Sequence, residues 1–209
     1  MMNSSNSSND FWRTQPVMPV VVVNSPAKAV ALAETLLKAG VSKIEVTLRT
    51  AFALDCVEAI ATSVPECIVG VGTVLSAQQG KDALNAGAKF LVSPGATEQL
   101  LDFVDVAGVP FIPGCATLSE AMRLVEHGLT AAKFFPAVES GGVAWLKSVS
   151  SVLPQLEFCP TGGINQNNYQ DFLELSNVMC VGGSWITPSN LIEDEKWSEI
   201  ERLAALAAR

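Results

Sequence analysis

One lysine of the chain stands apart from its other cationic side chains. Lys133 lies late in the apolar segment Ala131–Phe135, whereas the other seven lysines fall mostly on amphipathic segments or at the starts of strands. Burial among apolar side chains disfavours the ammonium form, and a lysine that loses its proton near neutral pH is a nucleophile towards carbonyl carbons. The structural alternative is a lysine whose head reaches solvent at the rim of the fold. The local sequence leaves both interpretations open.

A carboxylate and a guanidinium alternate along a second predicted strand. Side chains of a strand point alternately to opposite faces, so Glu45, Thr47 and Arg49 share one face and the apolar residues between them share the other. The apolar face is expected to pack beneath helices, which turns the polar face towards the interior, where charged groups are costly to bury without a function. A structural ion pair or an exposed strand edge is the alternative.

Two glycine pairs follow the last two predicted strands. Gly162-Gly163 follows the seventh strand, and Gly182-Gly183 follows the eighth and precedes Ser184. Glycines let the backbone approach a ligand and aim its N–H groups at it, and barrels of alternating strands and helices often bind phosphate after strands seven and eight. The two pairs together favour a phosphate site with Ser184 as a further donor, although either pair alone is also typical of a tight turn.

Smaller signals close strands three to five. Thr73, the segment Ser93-Pro94-Gly95 and the pair Pro113-Gly114 each follow a short apolar run. Each is by itself more typical of turn chemistry than of function. Together they bring small hydroxyl groups and close backbone to the same end of the strands.

Composition excludes several classes of protein. The 209 residues include 13 basic and 21 acidic side chains, a net charge of −8, whereas a protein that binds the phosphates of nucleic acid usually has the opposite balance. The single histidine, His127, rules out a three-histidine metal site or an H-E-x-x-H motif. The five cysteines form no C-x-x-C pair and are predicted to be reduced and mostly buried.

The N-terminal segment is polar and carries neither the basic start nor the apolar core of a secretory signal. We expect a disordered tail there. The longest apolar run, Val17–Val23, is too short to span a bilayer. The sequence therefore predicts a cytoplasmic protein without membrane contact, with residues 1–15 as a tail and lead-in and residues 16–209 as one folded domain.

Short apolar runs alternate with longer amphipathic segments along that domain. Ser25, Ser76, Thr97 and Thr117 stand where helix N-caps are needed. The runs have the length and composition of strands, and there are eight of them: Val17–Val23, Ile44–Leu48, Cys67–Val71, Phe90–Val92, Pro110–Ile112, Ala131–Phe135, Leu156–Phe158 and Val178–Val181.

A weak internal repeat supports a strand–helix unit. Glycines 40, 87, 108 and 128 each close a helical segment just before a strand, and the last three are about 20 residues apart. Alternating strands and helices imply a parallel sheet. Eight such units predict a (β/α)8 TIM barrel, with an open doubly wound sheet as the alternative, and the segment Trp197–Arg209 as the last outer helix.

Six short motifs, in order along the chain, carry a family resemblance. They are E-V-T-L-R-T at residues 45–50, V-G-T-V at 71–74, V-S-P-G at 92–95, K-F-F-P at 133–136, P-T-G-G-I at 160–164 and G-G-S-W at 182–185. This set resembles the bacterial 2-keto-3-deoxy-6-phosphogluconate (KDPG) aldolases, also known as the 4-hydroxy-2-oxoglutarate (KHG) aldolase family. The resemblance runs from about Pro16 to the C-terminus.

The resemblance implies a class I, metal-independent aldolase on a (β/α)8 barrel that needs no cofactor and forms a homotrimer. Its substrates would be a small keto acid and a phosphorylated aldehyde, with KDPG cleaved to pyruvate and glyceraldehyde 3-phosphate, and KHG to pyruvate and glyoxylate. A phosphosugar isomerase or epimerase on the same barrel and a non-catalytic phosphometabolite-binding barrel are the alternatives.

The resemblance also implies a role for each matching residue. Lys133 would form the Schiff base with the substrate ketone, and Glu45 would be the general acid and base. The expected substrate-binding residues are Arg49 and Thr73 at the pyruvyl carboxylate, Pro94 and Phe135 in the pocket wall, Thr161 for substrate orientation, and Gly162, Gly163, Gly183 and Ser184 at the phosphate.

Overall fold

The structure is a computed structural model that describes residues 6–208. Helices and strands alternate along most of this range. In chain order they are α1 (Asn6–Arg13), β1 (Val17–Val21), α2 (Pro26–Lys38), β2 (Lys43–Thr47), α3 (Ala53–Ser63), β3 (Ile68–Gly72), α4 (Ala77–Asn85), β4 (Leu91–Val92), α5 (Glu98–Ala107), β5 (Phe111–Ile112), β6 (Gly114–Cys115), α6 (Leu118–Glu126), β7 (Ala131–Phe134), α7 (Gly142–Val152), β8 (Glu157–Pro160), α8 (Tyr169–Leu173), β9 (Val181–Gly183), α9 (Ser189–Glu193) and α10 (Trp197–Ala207).

The strands pair in parallel throughout the described residues, as the alternating pattern predicted. Six of them form a sheet in the order β5-β4-β3-β2-β1-β9, and β6, β7 and β8 form a second sheet in that order. Two isolated bridges, Phe158 to Val178 and Thr161 to Gly182, join the β8 segment to the β9 segment. The protein therefore has a parallel α/β fold with its helices packed on the sheets.

All eight predicted strands are present, with shifted boundaries and one addition. The fifth predicted strand appears as β5, and the chain then re-enters a sheet as β6. Pro113, which lies between the two, has no N–H to donate to a ladder, and this divides the segment into two short strands.

Side chains of the strands divide into two apolar clusters. Val21, Ile44, Val46 and Val71 belong to a large cluster between the strands and the helices. The opposite face of the strands carries a smaller cluster, which we call the inner cluster: Trp12, Met18, Phe90, Val92, Ile112, Ala131, Cys159, Met179 and Cys180. The alternation predicted on the second strand is confirmed, since Ile44 and Val46 pack under helices while Glu45 and Thr47 are buried on the opposite face.

The helix signals read from the sequence are confirmed. The side chains of Ser25, Ser76, Thr97 and Thr117 accept hydrogen bonds from backbone N–H groups in the first turns of α2, α4, α5 and α6. Glycines 40, 87, 108 and 128 all have positive φ, as expected where a helix ends and the chain turns towards a strand. These local signals set where each strand begins.

The prediction of a disordered N-terminal tail is wrong for the described part of that segment. Residues 6–13 form α1, and Trp12 is buried against Phe11 and Phe90 in edge-to-face contacts. The Asn9 amide donates to Thr130 O at 3.2 Å and to Glu157 Oε2 at 2.7 Å. Burial of the apolar side chains on one side of α1 offsets the conformational entropy lost when the helix becomes ordered. The mean polarity of the segment does not reveal this one-sided burial. The first five residues lie outside the described residues.

No helix in residues 6–208 is long and apolar enough to cross a lipid bilayer. The last predicted helix is present as α10, which ends at Ala207. The five cysteines are free and buried, as predicted.

Candidate active site

The two residues that carry the predicted chemistry meet on the inner face of the strands. Lys133 Nζ lies 3.4 Å from Glu45 Oε1, although the two residues are 88 positions apart in sequence. Lys133 is 4% exposed and Glu45 is 2% exposed. The alternative in which the lysine head reaches solvent is therefore wrong. A buried amine beside a buried carboxylate can combine covalent attack on a carbonyl with proton transfer.

Strand β7 fixes the position of Lys133. Its backbone N–H donates to Pro113 O at 2.8 Å, and it lies in register between Gly114 and Cys159 on the neighbouring strands. The Nζ atom is 5.5 Å from the centre of the Phe135 ring, two residues further along the same face, within the range of a cation–π interaction. The strand segment that carries Lys133 is thus paired on both sides, and one aromatic ring lies near the amine.

Strand β2 fixes Glu45 in the same way. Glu45 pairs in register with Val20 on one side and Gly70 on the other. The hydroxyl of Thr47, two residues further, donates to Val21 O at 2.8 Å. The carboxylate is therefore carried by the centre of the sheet, where the ladder is continuous on both sides.

A cavity of about 430 Å³ opens at the carboxyl ends of the strands, next to this pair. Predicted site residues form much of its wall: Arg49, Phe135, Thr161, Gly162, Gly163, Gly183 and Ser184. Lys133 and Glu45 do not line it themselves, but Phe135 connects them to it through its ring contact with the amine. In parallel α/β folds, ligands bind outside the carboxyl ends of the strands, so the cavity has the position of a substrate site.

Arg49 is an exposed side chain at the edge of this cavity. The prediction that it shares the buried face of β2 is wrong, because the strand ends at Thr47 and Arg49 lies in the turn that follows. That turn is held by Thr50, whose hydroxyl donates to Val23 O at 2.9 Å. A guanidinium at this place stays hydrated until a ligand covers it, so it bears no cost of burial.

Thr73 and Pro94, two predicted binding residues, do not line the cavity. Thr73 follows β3 with φ +62°, a conformation that is uncommon for a residue with a side chain and often marks a functional constraint. The backbone of Pro94 packs so closely on Gly114 that a side chain there would overlap it. Gly114 is in turn the register partner of Lys133.

The glycine pairs allow close approach of backbone at the cavity. Gly162 and Gly163 have φ of +100° and +73°, and these residues line the cavity with Gly183. A Cβ on Gly182 would lie 3.1 Å from Thr161 Cβ and overlap its hydroxyl. Both pairs therefore serve the packing of the wall, whatever ligand lies against it.

Besides Gly182 of the second glycine pair, the wall contains five residues that no sequence signal singled out: Val20, Val22, Ile164, Thr187 and Ser189. Among them Thr187 is 2% exposed, and its hydroxyl has no hydrogen-bond partner among the described residues. The signal that could have found it is the polar segment Thr187-Pro188-Ser189, directly after the second glycine pair.

A second buried lysine lies at the opposite, amino-terminal end of the strands. Lys43 is 3% exposed, its Nζ contacts the Thr14 hydroxyl, and it lies 5.1 Å from the centre of the Phe11 ring. Burial lowers its pKa, partly offset by the nearby Cys180 thiol. Lys43 thus contacts Phe11 of α1 and Thr14, which follows that helix, whereas Lys133 contacts a carboxylate.

A second cavity, of about 480 Å³, lies at the same amino-terminal end. Phe11 and Trp12 of α1 and residues at the starts of β5 and β7 form much of its wall, and Asp105 is its one carboxylate among the described residues. Although it is slightly larger, it lies at the end of the strands that serves stability in such folds. We therefore place the functional site at the 430 Å³ cavity.

Known proteins match this chain over nearly its whole length. The profile of the KDPG and KHG aldolase family matches residues 9–203. The 2-dehydro-3-deoxy-phosphogluconate aldolase of Pseudoalteromonas atlantica is 46% identical over 201 residues, which cover 96% of this chain and 94% of that protein. The KHG/KDPG aldolase of Escherichia coli K12 is 46% identical over 204 residues, covering 98% and 96%.

A solved structure also matches over nearly the whole chain. The KDPG aldolase from Legionella pneumophila, with pyruvate captured at low pH as a covalent carbinolamine intermediate, superposes with a TM-score of 0.94. It is 42% identical in sequence and covers 97% of this chain and 98% of its own. The matching profile, relatives and structure show that this chain belongs to the KDPG and KHG aldolase family of carbon–carbon lyases.

Proposed function

We propose that the protein is a class I aldolase that works through a Schiff base on Lys133. It cleaves KDPG to pyruvate and glyceraldehyde 3-phosphate, and KHG to pyruvate and glyoxylate. The observation that carries the proposal is the buried Lys133 amine 3.4 Å from the Glu45 carboxylate. The pyruvate carbinolamine captured in the Legionella relative supports it, because a carbinolamine is the first species that an amine forms with a ketone.

The covalent step belongs to Lys133. The neutral amine attacks the C2 carbonyl of the keto acid, and loss of water gives a protonated imine. The imine withdraws electrons from C3 and so prepares the C3–C4 bond for cleavage.

The proton transfers belong to Glu45. Its carboxylate takes the proton of the C4 hydroxyl, directly or through a water molecule, and the C3–C4 bond breaks as the aldehyde leaves. The bonding electrons pass to C3 and the imine, which becomes an enamine of pyruvate. Glu45 then returns a proton to C3, and water hydrolyses the imine to release pyruvate and restore the lysine.

The remaining site residues bind and orient the substrate. The exposed guanidinium of Arg49 at the cavity edge suits the pyruvyl carboxylate, with Thr73 as a second donor. Phe135 forms the cavity wall nearest the amine, Pro94 packs behind it on Gly114, the register partner of Lys133, and Thr161 orients the substrate. The glycine-rich end of the cavity takes the phosphate: Gly162, Gly163, Gly183 and Ser184.

The proposed architecture is a closed (β/α)8 barrel over residues 16–209, with residues 1–15 as its lead-in. Two features support closure: the Pro113 carbonyl accepts the Lys133 N–H at the β5–β6 junction, and the Thr161–Gly182 bridge links β8 to β9. The proposed assembly is a cytoplasmic homotrimer without a cofactor, a nucleic-acid partner or membrane contact.

Borohydride trapping tests the proposed function. The purified protein is incubated with pyruvate and sodium borohydride and then digested, and the peptide masses are measured by mass spectrometry. We expect an adduct with the mass of pyruvate plus two hydrogens less one water, on the peptide that contains Lys133. The buried Lys43 serves as the internal control and should remain unmodified.

The Lys133→Ala variant separates the aldolase from its alternatives. It should lose both the adduct and the cleavage of KDPG. An isomerase, an epimerase or a non-catalytic binding barrel would form no adduct in the parent protein. Near-normal cleavage by Lys133→Ala would rule out the Schiff-base mechanism.

A further inference from the structure

Gly72 stands at the inner face of β3, next to the catalytic carboxylate. In the β2–β3 ladder Glu45 pairs with Gly70, and Thr47 pairs with Gly72. Gly72 is therefore two residues nearer the carboxyl end of the strands than the direct cross-strand neighbour of Glu45. Side chains of a strand lean along its direction, so the Glu45 side chain extends diagonally across the position of Gly72.

The space beside Gly72 is occupied by Glu45. A Cβ built on Gly72 would lie 2.6 Å from Glu45 Cδ and 2.7 Å from Cγ, and it would overlap Oε1. Contacts this short force one of the two groups to move, since buried side chains are close-packed. Any side chain at position 72 therefore displaces the carboxylate, the strand, or both.

The requirement for glycine at this position comes from the neighbour and not from the backbone. Gly72 is absent from the residues with positive φ, so its conformation is one that alanine adopts without strain. Gly70, on the same face of the same strand, makes room for a different group, the Phe90 ring. The two glycines of β3 are thus a matched pair, one beside the catalytic carboxylate and one beside a core aromatic ring.

Building on the proposed function, we propose that Gly72 is a positioning residue for the proton-transfer steps. Because Gly72 has no side chain, the Glu45 carboxylate can occupy the space beside it. In that position Oε1 lies 3.4 Å from the Lys133 amine. Lys133 itself is carried by β7 and does not depend on that space. Filling the space should therefore impair the steps assigned to Glu45 and spare imine formation by Lys133.

The first test compares two reactions of pyruvate in the Gly72→Ala variant. Borohydride trapping reports imine formation, and deuterium exchange of the pyruvate methyl group, followed by NMR in D2O, reports imine formation plus proton transfer. We expect trapping at the parental level and exchange reduced by about 10²-fold, the effect of a misplaced catalytic group. Glu45→Gln is the reference for loss of proton transfer. Gly70→Ala is the control. Its deuterium-exchange rate, divided by the fraction of enzyme that borohydride traps, should equal that of the parent.

The second test measures the contact through stability and keeps the proposal falsifiable if Gly72→Ala folds poorly. Urea unfolding is measured for Gly72→Ala in the parent and in the Glu45→Ala background. We expect the midpoint to fall clearly in the parent and to change little when residue 45 is alanine, because the overlapping atoms are gone. Gly70→Ala should lower the urea midpoint by the same amount in the parent and in the Glu45→Ala background.

The outcomes separate this inference from the proposed function. An equal cost of Gly72→Ala in both backgrounds, or parental exchange in Gly72→Ala, overturns the positioning role. If the parent protein itself shows neither trapping nor exchange, the proposed aldolase function fails, and the stability cycle still decides whether Gly72 makes room for Glu45.

Discussion

At the scale of single residues, the inner face of the strands holds two buried lysines in different surroundings. Lys133 is beside a carboxylate at the end that opens to the 430 Å³ cavity, and Lys43 is beside a hydroxyl and a ring at the other end. Both are buried primary amines, so burial alone does not distinguish a catalytic lysine. The carboxylate partner and the neighbouring cavity distinguish Lys133 from Lys43.

Glu45→Gln tests the acid–base role at this scale. The amide keeps the shape of the carboxylate but accepts no proton at neutral pH, so turnover of KDPG should fall by about 10²–10⁴-fold. The borohydride adduct on Lys133 should still form with pyruvate. Steady-state kinetics and peptide mass analysis check the two parts, with Glu126→Gln on the exposed face of α6 as the control. Parental turnover in Glu45→Gln would assign the proton transfers to another group.

At the scale of elements, the helices secure the two ends of the strands. The capped starts of α4, α5 and α6 fix the loops at the carboxyl ends of the strands, while α1 packs its aromatic side chains on the inner cluster at the opposite end. The proposed chemistry and the packing of α1 thereby lie at opposite ends of the same strands, as is usual in folds of this type.

Trp12→Ala tests the role of α1. The ring is 2% exposed and makes edge contacts with Phe11 and Phe90 at centroid distances of 4.7 and 5.3 Å. Its removal should lower the free energy of unfolding by about 3–5 kcal/mol, measured by urea denaturation. Trapping at Lys133 per folded molecule should be unchanged. Phe52→Ala, at a ring that is 53% exposed, is the control, and an equal loss there would contradict the assignment.

Glu120→Gln tests the capping box of α6. Hydrogen bonds from the backbone of Ala116, then from the hydroxyl and backbone of Thr117, lower the pKa of the Glu120 carboxyl. A group with a lowered pKa in the folded state stabilises it above its unfolded pKa, and this contribution is lost as the pH falls through the folded pKa. The variant should cost about 0.3–1 kcal/mol at pH 7.

That cost should shrink as the pH falls below the ordinary glutamate pKa of about 4.3 and through the lower pKa of the folded protein, where the parental carboxyl becomes protonated as well. Urea midpoints of the two proteins at pH 7 and at acid pH check the sign. A cost that stays constant across this range would show that the charge of Glu120 is irrelevant to the helix.

At the scale of the whole molecule, buried thiols are distributed over both apolar clusters. Burial raises the pKa of Cys67 and of Cys115 to about 12, with Glu120 adding to the effect at Cys115, and burial followed by Asp55 raises that of Cys56 to about 11. The folded protein therefore holds these protons at alkaline pH, where an unfolded chain releases them.

Alkaline destabilisation follows from these raised values. Their stabilising contribution is complete below the unfolded thiol pKa of about 8.5 and is lost as the pH rises towards the folded values. The urea midpoint of the parent should fall between pH 8 and pH 10.5, and the fall should be shallower in Cys67→Ala. Identical slopes in the two proteins would remove Cys67 from the explanation.

The assembly is also a prediction at this scale. The family resemblance implies a homotrimer, so light scattering should give a particle of about three times the 22.1-kDa mass of one chain. The measurement should be repeated over a range of protein concentrations. A particle of single-chain mass throughout would contradict the trimer.

Much of the fold could be predicted because its signals are local. The N-caps at Ser76 and Thr97, the glycine turns before strands and the eight apolar runs each depend on a few neighbouring residues, and each is present in the structure. The failures are non-local. The helix at residues 6–13 forms because Trp12 packs on Phe90 from a distant part of the chain, and Arg49 leaves the buried face because β2 ends at Thr47, two residues before it.

The sequence by itself determined the two faces of β2, because the two-residue period of a strand sorts Glu45 and Thr47 from Ile44 and Val46 without reference to any other part of the chain. Only the tertiary structure decided that Glu45 meets Lys133 and that Gly72 makes room for it. Those contacts join residues on different strands, and their distances depend on register and on the curvature of the sheet, which are properties of the packed chain as a whole.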